Sequence, residues 1–246
     1  MTTLLLDIGN SRLKWVAVSH WDAPLPAVAA LPHAGDPAAT LAQLAANWQG
    51  PRPQSLCIAH VTGAMHEAAL IVAAQQGFGL SPHLARSSAE CGGLKSAYAD
   101  PARLGVDRWL AMLALWHAGQ RAFCVASAGT ALTFDAVSDS GQHEGGVIAP
   151  GLTAMIDATL GNTRFAVGEL AAAFSPGLGR DTEACVRQGA LHAAAGLLDR
   201  LSAPYSQRVL CGGDAEQLHG HLASRWQVQP TLVLRGLAVW ARLASG

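Results

Sequence analysis

The chain has 246 residues, 50% of them hydrophobic and 13% charged, with a formal net charge of −1. This length suits one large domain or two of about 120 residues, and the near-neutral charge without a basic block argues against nucleic acid as a main partner. The five cysteines are scattered and never form a C-x-x-C pair, and no basic stretch leads into an apolar signal core, so we expect a cytoplasmic protein.

The first segment predicts a β-hairpin whose turn faces phosphate. An apolar strand ends at Asp7, a turn follows over Gly9, Asn10 and Ser11, and the return strand carries Lys14. We expect a positive φ at Asn10, while Gly9 leaves the turn without a side chain. Asp7 would hold Mg²⁺ through water, the turn N–H groups would face phosphate oxygens, and Lys14 would neutralise charge. Taken alone, the segment equally fits an ordinary hairpin.

Strands and helices alternate from the hairpin to residue 118, which indicates an α/β layered domain. Asp36-Pro37 begins a helix, as N-cap and first helical residue. Tyr98 lies in a loop, and residues 101–105 lead into a helix over 106–117. The apolar run of that helix is far shorter than the ~20 residues that cross a bilayer, so we expect no membrane partner. Further elements are predicted as strands at 55–61 and 83–88 and a helix at 64–76.

The second half begins like the first. Ala118-Gly119 ends the helix, so we place the domain boundary there, with domains at 1–118 and 119–246. A strand at 123–126, a turn over Ser127–Thr130 and a return strand at 131–137 then follow. The remaining predicted elements are a glycine-rich segment at 145–151, a helix from 152, a loop at 174–180, a helix at 181–201, a strand at 208–210 that meets Gly212-Gly213, and a helix at 237–243.

The two hairpins form a weak internal repeat. LLLDIGNSRLKW and FCVASAGTALTFD share a strand, a small-residue turn with a hydroxyl group, and a return strand. A duplicated turn that faces its copy across a cleft can hold a phosphate chain from two sides.

These motifs resemble the actin-like ATPase and sugar-kinase superfamily and, more narrowly, the type III pantothenate kinase family. The resemblance rests on the segment from Asp7 to Lys14, Tyr98, Leu104-Gly105-Val106-Asp107-Arg108, Gly129-Thr130-Ala131 with Thr133, Gly146 with Pro150-Gly151, and Gly179-Arg180-Asp181-Thr182. It implies two ribonuclease-H-like halves with a nucleotide cleft between them. It also implies a homodimer that uses ATP, Mg²⁺ and K⁺ or NH₄⁺ to phosphorylate pantothenate, the first step of coenzyme A biosynthesis.

The acceptor side is expected around the start of the helix at 106. The resemblance makes Asp107 the catalytic base, with Tyr98, Gly105, Val106 and Arg108 on the substrate. From chemistry alone, an Asp in a first helical turn also suits the helix dipole. An arginine can grip the carboxylate at the far end of such an acceptor. Tyr98 equally suits a loop aromatic that covers the core.

Three hydroxyl residues have both a bland and a functional interpretation. Thr130, with Gly129, would offer its hydroxyl and N–H to the nucleotide, or is simply a turn threonine. Thr182 begins a helix and would cap it, or, by resemblance, would contact pantothenate from the neighbouring subunit. The third, Ser127, stands where the resembled family has an aspartate linked to the monovalent cation, and Asp135 lies too far along the return strand to replace it. We therefore expect a weak dependence on that cation.

Two rival functions remain open at this stage. One is a non-catalytic regulator that kept the fold and the nucleotide site, against which the presence of Asp7, Lys14, Asp107 and Arg108 argues. The other is a kinase of the same superfamily that acts on another small hydroxyl acceptor, from which Tyr98 and the Gly105–Arg108 motif distinguish this chain.

Overall fold

The computed structural model describes residues 2–20, 24–163 and 174–244. The chain forms two compact units, Met1–Gly119 with Thr231–Gly246, and Gln120–Pro230. Within the described ranges, no helix is both long and apolar enough to cross a membrane.

Among its described residues, the first unit contains a five-stranded sheet, a two-stranded sheet and four α-helices. Its elements are β1 (Thr3–Ile8), β2 (Arg12–Val18), β3 (Ala29–Pro32), α1 (Pro37–Ala46), β4 (Ser55–His60), α2 (Ala64–Phe78), β5 (His83–Leu84), β6 (Glu90–Cys91), β7 (Leu94–Lys95), a 3₁₀ turn (Pro101–Arg103), α3 (Val106–His117) and, from the end of the chain, α7 (Leu232–Ala244). The strand order of the larger sheet is β3-β2-β1-β4-β5, with β1, β2 and β3 antiparallel and β1, β4 and β5 parallel.

Strand β1 lies in the middle of this sheet, and all six of its residues are buried. Leu4, Leu6 and Ile8 belong to a core with residues of α1 and α2. Because side chains alternate along a strand, Leu5 and Asp7 point to the opposite face, on which α7 contacts β1 and α3 contacts β4. Asp7 is therefore buried by its position in the strand.

The second unit repeats this arrangement. Its elements are β8 (Phe123–Ala128), β9 (Ala131–Val137), β10 (His143–Pro150), α4 (Leu152–Gly161), α5 (Thr182–Ser202), β11 (Gln207–Cys211), α6 (Ala215–His219) and β12 (Gln227–Val228). The order β10-β9-β8-β11-β12 again joins three antiparallel strands to two parallel ones. The predicted duplication of an α/β half is confirmed.

Helix α7 belongs to the first unit, whereas the expected division of the chain at residue 118 placed it in the second domain. It packs against α3 in the first unit, although it follows the second unit in sequence. The two helices approach so closely at Gly236 that a Cβ there would overlap the carbonyl group of Leu110. Such a return of the chain depends on contacts distant in sequence, which local patterns do not report.

Candidate functional site

The turn of the first hairpin spans the four residues between the paired Ile8 and Leu13. The Gly9 N–H donates to the Arg12 carbonyl oxygen at 3.0 Å. Neither Gly9 nor Asn10 has a positive φ, so the expectation of a left-handed Asn10 is wrong. Four-residue hairpin loops are most often built around a type I turn, whose central residues are right-handed.

His33 is hydrogen-bonded to this turn, and sequence reasoning missed this residue. The side chain is buried, its Nδ1 accepts from the Gly35 N–H at 3.2 Å, and its Nε2 lies 2.9 Å from the Gly9 carbonyl oxygen. Because Nδ1 accepts, the ring proton is assigned to Nε2, which donates to Gly9. The His33 N–H also donates to the Ser11 carbonyl oxygen at 3.2 Å. No sequence signal connects this histidine, in a proline-rich connection, to a distant hairpin.

Asp7, Lys14 and Asp107 lie close enough to influence one another electrically. Asp7 is directly opposite Lys14 in the β1–β2 pair. Burial raises the pKa of Asp7 from its ordinary 3.8 to about 6; the Lys14 charge lowers this pKa, and the Asp107 charge raises it further. The predicted phosphate-side and acceptor-side carboxylates of this unit are therefore neighbours.

Asp107 is seated tightly at the start of α3. Its Oδ1 accepts from the Arg108 N–H at 2.9 Å, within the first helical turn. A Cβ at Gly105 would lie 2.7 Å from the same oxygen, so a larger residue there would displace the carboxylate. A glycine is therefore needed at position 105 for steric reasons, because it leaves room for the Asp107 carboxylate.

The side chains of Tyr98 and Arg108 contact each other beside this helix start. The Arg108 Nη1 donates to the Tyr98 hydroxyl oxygen at 3.2 Å, and the guanidinium carbon lies 5.9 Å from the centre of the ring. Arg108 is only 6% exposed. The buried guanidinium thus lies against the Tyr98 ring and hydroxyl group, and a planar guanidinium is a group suited to binding a carboxylate.

In the second unit, backbones converge on the turn at Gly129 and Thr130. The Gly151 N–H donates to the Thr130 carbonyl oxygen at 3.2 Å, and a Cβ at Gly151 would overlap the Gly129 carbonyl. On the other side Gly212, with φ +100°, leaves no room for a Cβ against the backbone of Ala128. These glycines allow three chain segments to meet with their backbone groups near one turn.

Ser127 and Asp135 lie on neighbouring strands but are not equivalent. Ser127 pairs with Thr133 on β9 and with Cys211 on β11. Asp135 is buried, and its Oδ1 accepts from His143 Nε2 at 3.0 Å. The carboxylate of Asp135 is thus engaged away from the turn, in agreement with the expectation that it does not replace the missing aspartate.

Thr182 is the first residue of α5, but it does not cap the helix. Asp181 is the N-cap, and its Oδ1 accepts from the Ala184 N–H at 2.7 Å. Thr182 lines a groove of about 990 Å³ between α4 and α5, together with Met155 and Cys185. The capping interpretation of Thr182 is therefore wrong, and the residue lines a groove of ligand size.

A second cavity, of about 430 Å³, adjoins the acceptor motif in the first unit, and sequence reasoning missed it. It is lined by His60, Glu67 and Arg86, as well as by Gly105 and Val106. Glu67 Oε2 accepts from His60 Nε2 at 2.8 Å and from Arg86 Nη2 at 2.7 Å, and these bonds, that of Arg86 foremost, lower the pKa of Glu67. The three residues come from β4, α2 and the segment after β5, which only the folded sheet brings together.

A family model described as type III pantothenate kinase matches residues 3–203 of this chain. The type III pantothenate kinase of Aromatoleum aromaticum is 37% identical over 249 residues, which cover 97% of each chain. Among solved structures, a conserved putative Baf family transcriptional activator from Campylobacter jejuni is similar with a TM-score of 0.62, 17% identity and 98% coverage of both chains. The activator of 2-hydroxyisocaproyl-CoA dehydratase from Clostridium difficile, with bound ADPNP, gives a TM-score of 0.56 at 10% identity and covers 100% of this chain and 95% of its own. The two structural likenesses concern the fold alone, and they confirm the predicted fold class.

Proposed function

The chain belongs to the type III pantothenate kinase family, and from this membership we infer that it transfers the terminal phosphoryl group of ATP to the hydroxyl group of pantothenate. The product is 4′-phosphopantothenate, and the reaction is the first step of coenzyme A biosynthesis. The family match is the observation on which this conclusion rests. The neighbouring carboxylates Asp7 and Asp107 support it, since phosphoryl transfer needs one group on the phosphate side and another on the acceptor.

On the nucleotide side, we propose that the hairpin turn over Gly9, Asn10 and Ser11 lies against phosphate oxygens and binds them through polar groups of Asn10 and Ser11, with Lys14 as a neutralising charge. The Gly9 N–H donates within the turn and keeps its shape. The turn at Gly129 and Thr130 is proposed to lie against the phosphates in the second unit. The exposed side chains of Asn10 and Ser11 and the glycine-lined turn at Gly129 support these roles.

Asp7 is the residue that would hold Mg²⁺, through water. The metal fits this residue, because a buried carboxylate with a pKa raised to about 6 is stabilised in its ionised form by a nearby cation. Bound with the nucleotide, Mg²⁺ supplies charge neutralisation on the phosphates.

On the acceptor side, we propose that Asp107 orients the hydroxyl of pantothenate and accepts its proton late in the transfer. Arg108, with Tyr98 against it, would bind the carboxylate at the other end of the substrate. The backbone at Gly105 and Val106 would line the acceptor site between them. Catalysis would then be mainly positioning and charge neutralisation.

We further propose that the protein is a homodimer in which Thr182 contributes to a shared acceptor pocket. The groove beside Thr182 supports this, as do the exposed apolar side chains of Ile148 and Leu178, which are 64% and 90% exposed. We also propose a cytoplasmic location, from the cysteine usage of the sequence.

A coupled assay of ADP release with pantothenate, run beside a panel of other hydroxyl acceptors, tests this function. We expect release that depends on pantothenate and far exceeds release with the other acceptors. Release with a different acceptor instead would support the rival kinase. Nucleotide binding without release for any acceptor would support the non-catalytic regulator.

A further inference from the structure

The three residues after β5 connect the sheet and α2 to the segment that precedes α3. The Ala85 N–H donates to a carbonyl oxygen of β4 at 2.8 Å. Arg86 Nη2 lies 2.7 Å from Glu67 Oε2 on α2. The Ser87 hydroxyl donates to the Leu104 carbonyl oxygen at 2.8 Å. Three successive residues are thus tied to three different parts of the first unit.

Leu104 is the point at which this segment meets the acceptor motif. It is 2% exposed and extended, and it stands between the 3₁₀ turn and Gly105, the N-cap of α3. The first hydrogen bond of the helix runs from the Trp109 N–H to the carbonyl oxygen of Gly105, the residue after Leu104. The helix ladder therefore does not use the Leu104 carbonyl, and a buried carbonyl needs a donor. Ser87 supplies that donor.

The Asp107 carboxylate is bound to the same short stretch of backbone. It accepts from the Arg108 N–H and lies so close to Gly105 that a Cβ there would approach its Oδ1 within 2.7 Å. A shift of the backbone at Leu104 and Gly105 would therefore move the carboxylate as well. Such a shift matters because a displacement of about 1 Å in a reacting group costs roughly 10²-fold in rate.

We propose that Ser87 is a positioning residue for phosphoryl transfer. Its hydroxyl holds the Leu104 carbonyl, and this bond sets the first turn of α3 and the place of the Asp107 carboxylate. Arg86 supports the arrangement by anchoring the segment to Glu67. This role rests on the proposed function of Asp107 as the group on the acceptor hydroxyl.

The variant Ser87→Ala removes the bond, and the chain offers a matched control in the next residue. The Ser88 hydroxyl donates to the Glu90 carbonyl oxygen at 3.0 Å, in an exposed position outside the acceptor motif. We expect Ser87→Ala to lower kcat about 10-fold or more and to leave the KM for ATP unchanged. Ser88→Ala should retain the wild-type kcat. Ser87→Thr keeps a hydroxyl donor and should therefore retain most of the kcat that Ser87→Ala loses.

Hydrogen exchange on the full chain gives a readout that does not depend on activity. Ser87→Ala should speed exchange of the Arg108 and Trp109 amides, whereas Ser88→Ala should not. A wild-type kcat in Ser87→Ala, or equal losses in both alanine variants, would overturn the proposal. A wild-type enzyme that ignores pantothenate would instead contradict the proposed function, while the exchange comparison would still test whether Ser87 holds the start of α3.

Discussion

At the scale of single residues, the first unit places two carboxylates near each other, and their environments differ. Asp7 is 9% exposed and has its pKa raised to about 6, chiefly by burial. Asp107 stands at a helix start, where the N–H of Arg108 donates to it. The helix end stabilises a charged carboxylate, whereas the strand interior destabilises one. In the nucleotide-free protein, the ionised form of Asp7 therefore lowers the free energy of unfolding.

The variant Asp7→Asn should be more stable than the wild type at neutral pH. Because the pKa is about 6 when folded and 3.8 ordinarily, the folded state binds the proton more tightly between these values. The stabilising contribution of this proton is present below pH about 4 and is lost as the pH rises through about 6. Removing the charge should then raise the free energy of unfolding by up to about 3 kcal/mol at pH near 8, and by little at pH near 4. Urea titrations of the nucleotide-free proteins at both pH values measure this; destabilisation of the variant at pH 8 would contradict it.

The variant Asp107→Asn should bind ATP almost normally but turn over roughly 10²-fold more slowly or worse, the usual range for a positioned acid–base group. ADP release and nucleotide titration measure the two effects separately. Asp100→Asn is a suitable control, since Asp100 accepts from the Ala102 N–H at 3.1 Å and an asparagine can still do so. Near-normal turnover in Asp107→Asn would leave Asp107 only the role of a favourable charge at the helix start.

The serine at position 127 predicts weak or absent activation by K⁺, with the dependence on Mg²⁺ unchanged. A hydroxyl lacks the formal charge that makes a carboxylate a good ligand for a hard cation. Asp135 is held by His143 and does not compensate. Activity should be titrated with KCl against a large inert cation at constant ionic strength and constant Mg²⁺. Steep, saturating activation would show that Ser127 and backbone carbonyls suffice for the ion.

At the scale of elements, the second unit brings the ends of its strands together through glycines rather than through side chains. The turn between β8 and β9 is flanked by Gly151, just before α4, and by Gly212, just after β11. The Asp214 N–H donates to the Ala128 carbonyl oxygen at 3.0 Å, which joins the third segment to the turn. These close contacts and hydrogen bonds hold the backbone of the turn at Gly129 and Thr130 in place, and we propose that this turn lies against the phosphate chain.

The adjacent glycines 212 and 213 provide a matched test of that packing. In Gly212→Ala the new Cβ would meet the Ala128 backbone, and the φ of +100° is strained for alanine. We expect this variant to lower the melting temperature and to weaken ATP binding. Gly213→Ala should change neither, since a Cβ there meets nothing within 4 Å. Equal effects in the two variants, by differential scanning fluorimetry and nucleotide titration, would show that close approach at Gly212 is not the cause.

At the scale of the whole molecule, two units of like topology contain different kinds of residue. The first unit contains the charged residues Asp7, Lys14, Asp107 and Arg108, whereas the second contributes turns, Thr182 and an apolar groove. β10 lies at the edge of its sheet and exposes Ile148. Exposed apolar edge strands are unusual in proteins that stay monomeric, because they invite pairing with another chain.

If the proposed homodimer forms through this edge, the variant Ile148→Asp should be a monomer of lower activity. A charge at this position would have to be desolvated in an interface. Met65→Asp is the control, since Met65 is 89% exposed on α2 in the first unit. Size-exclusion chromatography with light scattering, at the protein concentration of the activity assay, gives the outcome. A fully active wild-type monomer would contradict both the dimer and the shared pocket at Thr182.

The sequence alone determined the local features of this protein. Alternating apolar strands, small-residue turns and helix starts depend on neighbouring residues, so the two hairpins, the helix start at Asp36-Pro37 and the repeated α/β order were predictable. The resemblance of the motifs to a family then predicted the roles of Asp7, Asp107 and Arg108. The wrong expectation of a positive φ at Asn10 came from assuming a tighter turn than four residues require.

Only the tertiary structure decided which distant residues support those motifs. His33 beneath the first turn, Ser87 on the Leu104 carbonyl, and α7 against α3 join segments far apart in sequence. The raised pKa of Asp7 likewise follows from the burial of its strand. Thr182 does not cap α5 because Asp181 accepts the hydrogen bond from the Ala184 N–H. Hydrogen bonds and burial of this kind depend on packing between elements, and sequence periodicity reports only the face an element buries, not the partner it buries that face against.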